Sequence, residues 1–343
     1  MLILYLALLL LVVSSLRYNV NGYNEDYLAF GTTNAVKGIF ILLVFISHVV
    51  PYIVNAGYVF DGIMGDLFWK IHSWVGQWIV AMFLFYSGYG IMESIKYKGA
   101  NYVVLIPKKR IFTVLLNFDV AVLAYILLSL FLGNDLSICQ CLLSFVGWES
   151  VGNSNWYIFV IMLAYLITYV SFVPPLTKRR ISVYIAYSLL FLSMLLLSVF
   201  KGTWWYDTIL CFGAGLLYSY HKDVAESFAR KHYVLSLSIV LIACILLYNV
   251  PFGLKGLRYN MFCIAFCILI VLLTMKFSVN SNLLIWFGKN LFPLYIYQRI
   301  PMILFSSVAG GYFVLHYPMS YAVTCFAITI LIALLYKYWT IKL

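Results

Sequence analysis

Charge is scarce in this chain. Only 10% of its 343 residues are Asp, Glu, Lys or Arg, against about 25% in an ordinary soluble domain. That excludes a water-soluble globule, and with it a disordered chain and a nucleic-acid-binding domain, each of which needs polar or patch-basic composition. Cysteine is too thin for a disulfide scaffold: there are seven, and none forms a C-x-x-C. Five of them lie inside apolar runs, and Cys263 and Cys267 are one helical turn apart. They read as buried small hydrophobes rather than metal ligands, so no metal site is expected.

What the chain has instead is apolar length: 65% of its residues are hydrophobic and 19% are aromatic. A hydrocarbon core of about 30 Å takes roughly 17 to 25 apolar residues to cross. Ten runs meet that length, near 36–55, 75–95, 111–133, 155–173, 181–200, 204–220, 234–250, 257–275, 283–305 and 320–336, and a shorter one covers 1–16. They are apolar throughout rather than alternating, and backbone groups in lipid must be satisfied within the segment, so they read as helices. The expectation is an all-α polytopic membrane protein of about eleven transmembrane helices. An additional N-terminal helix and loop (1–30) would precede a membrane domain (31–343).

Basic residues support the same count. Taken by alternate loops, seventeen Lys and Arg fall on one side, among them Lys37, Lys96, Lys98, Lys108, Lys109, Arg110, Lys178, Arg179, Arg180, Lys276, Lys337 and Lys342. Only Lys70, Lys201, Lys255 and Arg258 fall on the other, and Arg299 is left inside a run. The positive-inside rule then places the C-terminus in the cytoplasm of a multi-pass plasma (inner) membrane protein surrounded by membrane lipids. Residues 1–16 have neither a basic leader nor a clear cleavage site, which favours a retained first helix.

An ionisable side chain inside a membrane helix costs about 2.5–3.5 kcal/mol on insertion scales, so each one is a functional candidate. His48, Asp119 and Arg299 qualify, with Lys37, Glu93 and Asp207 near helix ends. Lys37 and His48 are eleven residues apart, which puts them within roughly 20° of one helix face and about 16 Å apart along it. They are either the two ends of one groove, or a snorkelling anchor and a core histidine. Arg299, between Pro293 and Pro301, reaches a depth similar to that of His48; alternatively it bonds carbonyls that the prolines free. Ser87, Gly88 and Gly90 interrupt an aromatic helix after Tyr86 and permit close backbone approach. Lys108, Lys109 and Arg110 make a compact basic cluster that suits phosphates or simple anchoring. Trp156 and Tyr157 are candidates for stacking on sugar rings, against the plainer reading of aromatic belts and packing.

The ordered set Lys37-x10-His48, FLFYSGYGIM at 83–92, the 108–110 cluster, SNWYIF at 154–159, WYDTILCFGAGLL at 205–217 and FGKNLFPLYIYQ at 287–298 resembles the acyltransferase 3 family of integral-membrane O-acyltransferases. The resemblance spans about residues 30–336. It implies a ten-helix core that passes an acyl group, usually acetyl, from cytoplasmic acetyl-CoA or another acyl-CoA to a hydroxyl of a surface polysaccharide or its lipid-linked precursor. Acyl-CoA is then a donor substrate, with no permanently bound cofactor and no nucleic-acid partner. The essential basic residue and histidine of the family carry over to Lys37 and His48, and its acyl-CoA-binding cluster to Lys108, Lys109 and Arg110. Many members carry a histidine where this chain reads Tyr297-Gln298-Arg299, so that role does not transfer, and Gln298 or Arg299 stands in its place.

On this reading His48 is the general base or acyl relay and Arg299 the oxyanion stabiliser. Lys37 and the cluster hold the donor, and Ser87, Tyr86, Asp119, Trp156, Tyr157, Tyr295 and Gln298 line the cavity or meet the acceptor. The rival class is a non-enzymatic transporter, flippase or polymerase of lipid-linked glycans. No inverted halves of the transporter kind are visible in the sequence.

Overall fold

The computed structural model describes residues 1–173, 179–249, 255–308 and 311–342. Lys178 lies outside them, as do the side chains of Arg179 and Lys255. The described chain is nearly all helical. In order the helices are α1 (Leu2–Ser15), α2 (Phe30–Asn55), α3 (Gly62–His72), α4 (Trp78–Lys98), α5 (Ala100–Val103), α6 (Thr113–Phe131), α7 (Ile138–Phe145), α8 (Trp156–Phe172) and α9 (Arg179–Phe200). Then come α10 (Leu210–Tyr220), α11 (Lys222–Lys231), α12 (Tyr233–Asn249), α13 (Lys255–Lys276), α14 (Asn282–Lys289), α15 (Leu291–Tyr297), α16 (Arg299–Val308), α17 (Tyr312–His316) and α18 (Pro318–Leu335).

Six helical segments are long and apolar enough to span a bilayer: Phe30–Asn55, Trp78–Lys98, Ala100–Phe131, Arg180–Phe200, Gly256–Lys276 and Pro318–Tyr338. The pair α11 and α12 makes a seventh if taken as one span, but it bends by 105°. Five of the eleven apolar runs fall outside these six: 155–173 is the 17-residue α8, 234–250 is α12 of the bent pair, and three more depart further from one full-length helix. In the 204–220 run the α-helix begins only at Leu210, after a short 3-10 turn at Thr203–Trp205. The 283–305 run is three short helices, α14 to α16, because Asn290 caps one and Pro293 and Pro301 each remove a helical N–H. The first run is a 14-residue helix, followed by a feature an all-α reading omits: Leu16–Tyr18 pairs antiparallel with Phe277–Val279.

The bundle is apolar on both its inside and its perimeter. Leu9, Leu127, Ile242 and Leu331 are each more than half exposed, as lipid-facing side chains would be. Helix α4 sits at the centre: 72% of its apolar window is buried, against 28% for Pro318–Tyr338. Met82, Phe83, Leu84 and Phe85 are sealed on consecutive positions and so on every side of the helix.

Two crossings bring helices together backbone to backbone. A methyl built on Gly88 of α4 would fall onto the Phe212 carbonyl of α10, and one on Gly215 onto the Phe85 carbonyl. A methyl on Gly38 of α2 would fall onto the Leu284 carbonyl of α14, and one on Gly288 onto the Asn34 carbonyl. Small residues are what allow such approach in a membrane, where no hydrophobic driving force separates helix from lipid. Beside the first crossing, Ser219 donates to Glu93 (2.7 Å), and Lys96 pairs with the same carboxylate (2.7 Å).

Gly90, in the same SGYG stretch, faces open space. Gly88→Ala and Gly38→Ala should each lower thermal stability in detergent by roughly 2 kcal/mol or more, because rigid backbone has to move. Gly90→Ala should be neutral or gain up to about 1 kcal/mol from helix propensity. Equal melting of Gly88→Ala and Gly90→Ala would contradict these crossings.

Candidate functional site

His48 lies on α2, between the Gly38 crossing and Pro51. It is not wedged among apolar neighbours. Part of its surface faces a cavity of about 320 Å³, and its Nδ1 is buried without a hydrogen-bond partner. The cavity is drawn from six places in the chain: Ser47 and His48 of α2, Gln77 ahead of α4, Trp156 at the start of α8, Asp207 ahead of α10, Tyr259 of α13 and Tyr295 of α15. An imidazole, a carboxylate, a carboxamide, a hydroxyl and aromatic faces thus converge on one space. A hydroxylated ligand would find both hydrogen-bonding groups and stacking surfaces there.

Local structure explains each placement. Asn260 of α13 is fully buried and staples the turn that carries Asp207: it accepts from the Leu210 N–H (2.9 Å) and donates to the Tyr206 carbonyl (2.7 Å). The loop ahead of α8 is held by its own asparagines. Asn155 donates to the Gly147 carbonyl (2.8 Å) and the Asn153 side chain accepts from the Val151 N–H (3.1 Å), which holds Trp156 at the rim. Tyr259 accepts from the Trp78 N–H (3.3 Å) and so ties α13 to the start of α4. Tyr295 lies 6.2 Å from the His48 ring and 5.3 Å from the Tyr157 ring, so Tyr157 supports the aromatic wall from behind.

Arg299 comes to the same region by another route. Its Nε donates to the Tyr52 hydroxyl (3.2 Å), one helical turn beyond His48. Freed or neighbouring carbonyls of the broken segment have other donors. Tyr125 reaches Ile296 (2.7 Å), Gln298 reaches Tyr295 (3.0 Å) and Tyr321 reaches Met302 (2.8 Å). The side-chain bond the structure gives Arg299 goes to a phenol rather than to a proline-freed carbonyl.

A second cavity, of about 820 Å³, opens beside the π-helical turn Pro107–Phe112. Lys98, Lys109, Arg110 and Lys342 line it together with Tyr97, Asn101 and Tyr102, and Arg110 Nε donates to the Tyr102 hydroxyl (3.1 Å). Four cations around one space form a site for a polyanion such as a phosphate ester. The two cavities share no lining residue.

The sequence-predicted residues divide accordingly. His48, Trp156 and Tyr295 meet at the first cavity, with Tyr157 and Arg299 adjoining, and Lys109 and Arg110 meet at the second. Lys108 is exposed beside the second cavity, and Lys37, half-buried on α2, lines neither. Ser87 is turned back onto the Phe83 carbonyl (2.7 Å). Tyr86 is sealed in the core, Asp119 stands apart on α6, and Gln298 faces a small apolar space beside Phe45 and Thr329. Ser47, Gln77, Tyr259 and Asn260 escaped the sequence reading, because nothing in their local pattern separates them from packing residues; Asp207 signalled itself only as a carboxylate near a helix end.

Tyr52→Phe removes only the hydroxyl that holds Arg299. It should cost about 1–3 kcal/mol of thermal stability in detergent, the value of a hydrogen bond to a charged group. An unchanged melting temperature would mean that the guanidinium is held elsewhere.

A family model described as an acyltransferase domain matches residues 32–337. No curated protein and no solved structure matches the chain. With the family model covering most of its length, this multi-pass chain belongs to the acyltransferase 3 family of membrane acyltransferases.

Proposed function

We propose that the protein moves an acyl group, acetyl first among them, from acyl-CoA to a hydroxyl of a surface polysaccharide or its lipid-linked precursor. The observation that carries this reading is the unpartnered His48 Nδ1 at the edge of a cavity rich in hydrogen-bonding and aromatic groups. The donor binds at the basic cavity, whose four cations suit the phosphates of CoA. The lysines and arginines that collect at that end support a cytoplasmic face for it, in a plasma (inner) membrane. Lys37 stands about 16 Å below His48 on the same helix and guides the acyl arm between the two ends.

In the transfer, His48 takes the proton of the acceptor hydroxyl as its oxygen attacks the thioester carbonyl. A C–O bond forms, and the tetrahedral oxyanion is stabilised by the nearby Arg299 charge. Collapse breaks the C–S bond, and the thiolate leaves with the proton returned from His48. Asp207, Gln77 and Ser47 orient the hydroxyls of the acceptor, and Trp156 with Tyr295 offers faces on which a sugar ring stacks.

The test pairs binding with turnover. His48→Ala, inserted and folded, should keep affinity for CoA but lose acyl transfer by roughly 10²–10⁴-fold, the range for a lost general base. Arg110→Glu should do the reverse, weakening CoA binding first. Mass spectrometry of host surface glycans with and without the gene reads out acyl group and acceptor together. Wild-type acylation by His48→Ala would remove the mechanism.

A further inference from the structure

Lys342 stands far in sequence from the Lys108–Arg110 cluster, yet it lines the same cavity. A single buried side chain brings it there. Asn117 of α6, 4% exposed, forms a two-way bond with the Ile341 backbone: its Nδ2 donates to the Ile341 carbonyl (2.9 Å) and its Oδ1 accepts from the Ile341 N–H (2.9 Å). The same oxygen accepts from the hydroxyls of Tyr336 (2.9 Å) and Thr340 (3.2 Å), and Trp339 Nε1 reaches the Tyr297 hydroxyl (3.4 Å). The segment 336–341 leaves α18 and is fastened to α6 by four hydrogen bonds, all to Asn117, with a fifth from Trp339 to Tyr297 of α15. A segment held only as an exposed strand of chain would fray. This one is pinned on both backbone groups of the residue next to Lys342, and those groups would lose their partners if Asn117 were gone.

We infer that Lys342 is a donor-binding residue, and that Asn117 is the positioning residue that fixes it opposite Lys109 and Arg110 to close the basic cavity around the phosphates of acyl-CoA. The inference rests on the proposed donor and deepens it. Lys98, Lys109 and Arg110 come from α4 and the π-helical turn, whereas Lys342 comes from the segment after α18. The polyanion is therefore gripped from two independent parts of the fold. Such a grip discriminates by charge, so it should act on a donor that carries phosphates and be indifferent to one that does not.

The experiment compares acetyl-CoA with S-acetyl-pantetheine, a donor with the same thioester arm and no phosphate, on the full-length protein in detergent. Lys342→Ala should raise KM for acetyl-CoA roughly five- to tenfold with kcat unchanged, and leave kcat/KM for S-acetyl-pantetheine where it was. Lys342→Arg should restore most of the loss. Asn117→Leu should show the same donor-selective rise through misplacement of Lys342; if that variant fails to fold, the Lys342 pair decides alone. An unchanged KM in Lys342→Ala, or an equal loss with both donors, would overturn the inference while leaving the donor assignment intact. Absence of CoA binding by the wild-type protein would overturn the donor assignment and the inference with it.

Discussion

Glycine at four positions sets the distance between the helices that line or lead into the His48 cavity. Gly88 and Gly215 let α4 and α10 touch through their backbones, and Gly38 and Gly288 do the same for α2 and α14. Any side chain there would push apart segments that converge on one place. Helix α2 delivers His48, α10 begins just after Asp207, and α14 leads into the broken stretch that presents Tyr295 and Arg299. In lipid, apolar burial gives helices little reason to associate, so the close packing these glycines permit bears directly on the geometry of the cavity.

Around that frame, buried amides do what hydrophobic contact cannot. Asn260 fixes the turn before α10, Asn155 and Asn153 fix the loop before α8, and Asn117 fixes the segment after α18. Each satisfies backbone groups that would otherwise be stranded in a low-dielectric interior, and each holds a segment that carries a cavity-lining residue. Irregular backbone is tolerated at depth only under this condition. The irregular stretches and the cavities coincide for that reason.

The two cavities differ in charge. One holds four cations and neighbouring tyrosines; the other holds an imidazole, a carboxylate and aromatic faces, with no cation on its lining. Helix α2 contributes His48 to the second of these and no residue to the first.

Much of this was legible in the residues. Helical class follows from uninterrupted apolar runs, since no other backbone is satisfied in lipid. His48 and Arg299 stood out because charge inside such runs is costly, and the 108–110 cluster because three cations are adjacent. Pro293 and Pro301 marked the weak points of 283–305, but the late helix start within 204–220 was not legible, because hydropathy measures length of apolar sequence and not continuity of hydrogen bonding. Tertiary structure alone decided that Asp207 and Gln77 face His48, that Ser87 and Asp119 do not, and that Lys342 joins a cluster more than two hundred residues earlier in the chain. Composition fixes which residues must avoid water. Which polar groups then meet depends on how closely the helices can approach and on which amides hold the turns between them.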